Sequence, residues 1–247
     1  MARTISIGAQ SFSDLREKDL FYVDKTHFIK EWWEKTSSDV VTLITRPRRF
    51  GKTLNMSMLE CFFSSKYRSR STLFEGLYIS KDPELMRQQG RWPVVALSFA
   101  GIKYRSFEST GKAINMLITE KYREVKDFIG AENLTEEEQD LFARIDAEMD
   151  DTLSSLSVQL LCGVLNRHYG EKVIILLDEY DTPMQEAWMN GYWDEMVSFV
   201  SALAQIEEKK YETDLLTRGI RKDRIYKYGF AFQGKKCLIG IEEHTEG

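Results

Sequence analysis

One junction in the sequence restricts the possible folds more than any other: Val40-Val-Thr-Leu-Ile-Thr45, β-branched and uncharged, runs through Arg46 to Gly51 into Leu54, Met58 and Phe62 at helical spacing. A strand without polar alternation has both faces covered, which suits the middle of a parallel sheet. Parallel strands in turn need crossover connections, usually helices. Gly51-Lys52-Thr53 stands where this strand turns into its helix. In that setting backbone N–H groups can point at phosphate oxygens, Gly51 permits close approach, Lys52 can reach β- and γ-phosphates, and the Thr53 hydroxyl can ligate Mg²⁺. The phosphate-loop pattern G-x-x-x-x-G-K-[ST] is broken at its first position, where Arg46 replaces glycine to give Arg-Pro-Arg-Arg-Phe-Gly-Lys-Thr.

A second apolar run, Val173-Ile-Ile-Leu-Leu-Asp-Glu, ends in adjacent carboxylates. This is a Walker B arrangement, in which Asp178 would hold magnesium through water and Glu179 would polarise an attacking water. The alternative is that the two carboxylates cap a following helix.

Between the two motifs, Pro93 opens a strand over Val94 to Phe99, and Ile114, Leu117, Ile118, Val125 and Phe128 predict a long helix. Thr135 and Glu138 fit a capping box in the acidic stretch Glu132 to Asp151, which reads as a solvated face. Val158, Leu161 and Leu165 continue in a helix that Gly170 can end. Helical spacing returns over Trp193 to about Tyr211, with Gly219 as a stop, and Ile225 to Phe232 with Lys236 to Ile241 flank Gln233-Gly234 as a β-hairpin. A helix from Asp24 to Lys35 follows an N-terminal arm. Alternating helices and buried strands indicate an α/β protein.

The net charge of −5 argues against electrostatic coating of nucleic acid. Cys61, Cys162 and Cys237 are odd in number and far apart, as expected of packed, reduced thiols. No apolar run reaches the length of a membrane span and the first ten residues lack a signal-peptide core, so the cytoplasm is the expected location. His27 and His168, the latter placed on an apolar stripe, read as structural, and Trp32, Trp33, Trp188 and Trp193 as packing rather than a base-stacking platform.

Several local matches carry a resemblance: Phe12 with Leu15-Arg16, Phe21-Tyr-Val-Asp-Lys-Thr26, Thr45 through Asn55, and Leu177-Asp-Glu-Tyr-Asp-Thr-Pro183. From about Ile5 to Val200 the chain resembles the predicted AAA-ATPase-like proteins of bacteria, which depart from the standard Walker A and are usually fused to a C-terminal PD-(D/E)XK nuclease-like domain. The resemblance implies a P-loop NTPase-like, mostly parallel sheet with flanking helices over residues 1–200. A short C-terminal helix and β-hairpin would follow. It implies ATP and Mg²⁺ as ligands, nucleotide contacts from Arg48, Arg49, Phe50, Gly51, Lys52, Thr53 and Leu54, magnesium at Thr53 and Asp178, and catalytic roles for Lys52 and Glu179. Arg48 and Arg49 equally suit surface salt bridges. The Tyr22 to Thr26 segment is either an adenine-contacting arm or packing against the helix after Gly51, and Asp181 either supports the site from behind its ligands or is a turn residue, which Thr182-Pro183 favours.

The sensor strand, lid and arginine finger of the wider ATPase class have no counterpart that can be picked out after Asp178 and Glu179. Residues 201–247 resemble part of the nuclease-like domain, including Lys227-Tyr-Gly-Phe-Ala-Phe and Gly234-Lys-Lys-Cys-Leu-Ile, without its Asp and E-x-K pair. The expectation is therefore an ATP-binding protein with slow hydrolysis and no nuclease activity. An active switch or motor working with a protein partner and a nucleic-acid-processing accessory are the alternatives. The hairpin is expected to stay outside the main sheet.

Overall fold

The computed structural model describes residues 4, 8–35, 51–204, 228–233 and 236–241. The expected strand Val40 to Thr45 and the loop through Arg46, Arg48, Arg49 and Phe50 lie outside the described residues, as do Ile206 to Tyr211 and Gly219.

Two strands organise the α/β architecture. β1 (Val94–Ser98) and β2 (Ile174–Asp178) run parallel, with Val94 opposite Ile174 and Ser98 opposite Asp178. The Ile174 N–H donates to the Pro93 carbonyl at 3.0 Å and the Phe99 N–H to the Asp178 carbonyl at 2.9 Å, extending the pairing at both ends. Alternate side chains leave the pair on opposite faces. Val95, Leu97, Val173 and Ile175 enter one hydrophobic cluster, and Val94, Ala96, Ile174 and Leu176 enter the other. The runs lack polar alternation because each face has its own helical cover.

The first cover comes largely from the crossover between the strands: α5 (Phe107–Ile129), α6 (Glu136–Arg144) and α7 (Asp151–Tyr169). The expected capping box starts α6: the Glu138 N–H donates to Thr135 Oγ1 at 3.2 Å and the Thr135 N–H to the Glu138 carboxylate at 2.9 Å. Gly170 ends α7 in the left-handed conformation, φ 67°, its N–H bonded to the Asn166 carbonyl. His168 is exposed, with its ring against Tyr169, instead of lying on the apolar stripe.

The second cover comprises α1 (Phe12–Glu17), α2 (His27–Lys35) and α3 (Lys52–Phe63), followed by short 3-10 turns and α4 (Pro83–Met86). Its core is aromatic: Phe12, Phe62, Phe63 and Phe74 are fully buried, and Trp32 and Trp33 pack against Phe63. The N-terminal arm thus contains a helix, capped by Ser11 and seated on α3 through the Phe12 N–H to Ser57 Oγ at 3.0 Å. α2 begins at His27 rather than Asp24 because the Asp24 carboxylate accepts from both the N–H and the hydroxyl of Thr26, at 2.9 and 2.7 Å, folding those residues into a turn.

After β2 come α8 (Asp181–Asn190) and α9 (Trp193–Ala204). Asp181 is the first residue of a helix, not a turn residue, since Pro183 falls in the first turn, where no intrahelical N–H is needed. Trp188 is half exposed, its ring edge-on to Trp193. β3 (Tyr228–Gln233) and β4 (Lys236–Ile241) form an antiparallel pair of their own. Leu238 stands opposite Ala231 and Ile239 opposite Phe230; among the described residues neither pairs with β2.

Candidate functional site

α3 opens without a cap. Gly51, its first flanking residue, takes φ 80° and ψ 29°, a left-handed conformation that disfavours any side chain, and among the described residues no side chain caps the first turn. The Asn55 N–H closes the first helical bond on the Gly51 carbonyl at 2.9 Å. The N–H groups of Lys52, Thr53 and Leu54 have no partner within the helix, and the first turn carries no acidic residue. The first turn of α3 itself thus supplies no negative charge to the positive end of the helix dipole.

Asp178 ends β2 at 8% relative exposure. Among the described residues no hydrogen bond or ion pair reaches its carboxylate. It lines a cleft of about 260 Å³ together with Thr53, Ser57 and Glu60 from α3, Ser98 from the end of β1 and Lys121 from α5. Thr53 and Asp178, nominated separately by two motifs, thus meet on one cleft. Lys52 and Glu179 are next to them in sequence but are not among its lining residues.

Glu179 follows at φ 55°, a left-handed conformation that costs a non-glycine residue roughly 1–2 kcal/mol. Its carbonyl accepts the Thr182 N–H at 2.9 Å and its carboxylate the Thr182 hydroxyl at 3.3 Å. The residue before α8 is Tyr180, with no side-chain cap, so neither acidic residue caps backbone N–H groups as the alternative reading required.

Four of these lining residues, Ser57, Glu60, Ser98 and Lys121, were not singled out from the sequence. Thr53, Ser57 and Glu60 stand at i, i+4 and i+7 and form a polar stripe on an otherwise apolar helix, a signal that periodicity carries. Lys121 arrives from a distant helix, without a local cue. Burial raises the Glu60 carboxyl above its ordinary range, partly offset by Lys121. Burial also pushes the Cys61 thiol up to about 11, consistent with a packed cysteine.

The Tyr22 to Thr26 segment packs on the same helix. The Tyr22 hydroxyl donates to Met58 Sδ at 3.2 Å and accepts the Lys25 N–H at 3.2 Å. A Cβ built on Gly51 would lie 3.6 Å from Lys25 Nζ. Among the described residues no three His, Cys, Asp or Glu side chains gather as a metal site. A cation at Thr53 and Asp178 would thus draw further oxygen ligands from elsewhere, as magnesium does from water and phosphate.

A family model described as predicted AAA-ATPase, AAA-ATPase-like, matches residues 6–220. The chain belongs to the predicted AAA-ATPase family. The match takes in α1 through α9 and runs past residue 200. A relative of this AAA-ATPase-like chain, described as an uncharacterized protein in the vnfD 5' region of Azotobacter chroococcum mcd 1, is 31% identical over 184 residues. Those residues are 74% of this chain and 30% of the relative, so the chain spans less than a third of that protein's length. No solved structure matches the chain. Among the described residues no helix is long and apolar enough to cross a membrane.

Proposed function

We propose that the chain binds ATP with Mg²⁺ at the N-terminus of α3 and hydrolyses it slowly. The observation that carries this reading is the meeting of Thr53 with the buried Asp178 on one cleft, beside a helix N-terminus that no side chain of the described residues caps. Lys52 and the N–H groups of Gly51 through Leu54 bind the phosphates, with Arg48, Arg49 and Phe50 completing the loop. The Thr53 hydroxyl and Asp178 hold the magnesium, Asp178 through water. When bound, magnesium neutralises charge on the β- and γ-phosphate oxygens. Glu179 orients the attacking water and accepts its proton, a role that gives the strained turn after β2 a purpose.

In this reading residues 1–200 form the nucleotide-binding domain and 201–247 a nuclease-like remnant without nuclease activity. Slow turnover follows if no residue takes the sensor and arginine-finger roles that cannot be picked out after Glu179, since a finger alone accounts for about a thousandfold or more in rate. The test is equilibrium binding of ATP with and without Mg²⁺, followed by phosphate release on the same sample. The expected result is binding that Mg²⁺ strengthens, slow release of phosphate, and loss of binding in Lys52→Ala. A folded Lys52→Ala protein that binds ATP as the parent does refutes the site; rapid hydrolysis by the isolated chain refutes the slow turnover.

A further inference from the structure

The arm before α2 holds Lys25 in place with unusual thoroughness. The Asp24 carboxylate accepts from the Thr26 N–H and hydroxyl at 2.9 and 2.7 Å and from the Tyr78 N–H at 2.6 Å, while Thr26 Oγ1 accepts the Ile79 N–H at 3.1 Å. Thr26 is fully buried. Tyr22 ties the Lys25 N–H to Met58 of α3. These bonds clamp the turn between α3 and the 3-10 turn Tyr78–Lys81. A backbone fixed on both sides delivers a half-buried ammonium to the point where a Gly51 side chain would begin, with Lys25 Nζ 3.6 Å from that position. Gly51 leads the uncapped N–H groups of α3, so the ammonium and the helix dipole bring positive charge to one place. Two like potentials held together in a partly dry setting raise the local affinity for an anion.

We infer that Lys25 is a second phosphate-contacting cation of the nucleotide site, carried in by the N-terminal arm to the start of α3. This rests on the nucleotide-binding reading above and adds a residue that the phosphate-loop pattern does not contain. A lysine acting only as a brace for the fold would contribute to stability without preference for ligand charge.

The test uses the full chain, with ATP and inorganic tripolyphosphate as probes, both with Mg²⁺. Tripolyphosphate has neither base nor sugar and isolates the phosphate contacts. Lys25→Met is expected to weaken binding of both by the same factor, roughly tenfold to a hundredfold, as for loss of one charged hydrogen bond. It should also reduce the dependence of ATP affinity on salt, while Lys25→Arg stays within about threefold of the parent, as retention of the charge requires. The melting temperature of ligand-free Lys25→Met is measured beside the parent's; if that variant does not fold, Lys25→Gln is measured in the same way. Parent-like binding of both probes by Lys25→Met, with binding lost in Lys52→Ala, overturns the role of Lys25 and leaves the nucleotide site standing. A variant that melts lower without ligand and keeps the parent's salt dependence makes Lys25 a brace, which also overturns it. Absence of ATP binding in the parent removes the nucleotide reading itself, and this inference with it.

Discussion

Asp178 concentrates most of the chemistry of the site in one side chain. In the proposed site its carboxylate, at 8% exposure and without a hydrogen-bond donor among the described residues, lines the cleft where a cation would sit. Asp178→Asn keeps the shape and removes the charge. The variant should melt no lower than the parent without ligand, and titration of ATP at rising Mg²⁺ should show the magnesium-dependent gain reduced by roughly tenfold or more, as for a lost charged contact. ATP affinity in EDTA should be little changed. An identical magnesium dependence in parent and variant would take Asp178 out of the cation site. The neighbouring Glu179 bears a different load, because its strain lies in the backbone at φ 55° and persists whichever charge its side chain carries.

Among the elements, α6 is the most acidic at its start, with Glu136, Glu137 and Glu138 in the first turn, and it is held from two directions. Its own capping box closes the N-terminus, and Arg167 of α7 reaches across to Glu138, Nε to Oε1 at 2.6 Å. The Arg167 guanidinium, against the opposing effect of partial burial, holds the Glu138 carboxyl below its ordinary range, with help from the Thr135 N–H. A carboxyl depressed in the folded state binds fewer protons there than in the unfolded chain between the two values. Its stabilisation is therefore complete above the unfolded value, near 4.5, and is lost as pH falls through the lower folded value. Thr135→Ala should lower stability by about 1 kcal/mol at neutral pH, measured by urea unfolding. Glu138→Gln should flatten the parent's loss of stability on acidification below pH 4.5, and an unchanged acid limb would show that the tie between α6 and α7 contributes nothing. The capping box, the Gly170 stop and β1 were legible in the sequence because each depends on neighbours in the chain or on burial that an unbroken apolar run reports. The start of α2 was misread because Asp24 spends its carboxylate on Thr26 and Tyr78, and the Tyr78 contact spans the chain. Motif spacing nominated Thr53 and Asp178, whereas Lys25 and Lys121 come near the site only through folding.

At the scale of the whole molecule, the two hydrophobic clusters share one pair of strands. Val95 and Leu97 belong to one cluster and Leu176 to the other, so neither cover can leave without uncovering the sheet for its neighbour. Across the same strands lies the cleft that Thr53 of α3 and Asp178 of β2 line together with Lys121 of α5. A ligand held there contacts elements from both covers. Residues 1–204 should therefore unfold in one cooperative thermal transition, and a ligand specific to the folded state should move all of it. At a concentration of a hundred times Kd, MgATP would add about 2.7 kcal/mol. For a chain of this size each kcal/mol shifts Tm by about 2–4 °C, so the whole transition should move up by roughly 5–10 °C in the parent. It should not move in Lys52→Ala. Calorimetry with and without MgATP reads this directly, and two separate transitions, only one of them raised by the nucleotide, would show that the clusters are energetically independent despite the strands they share.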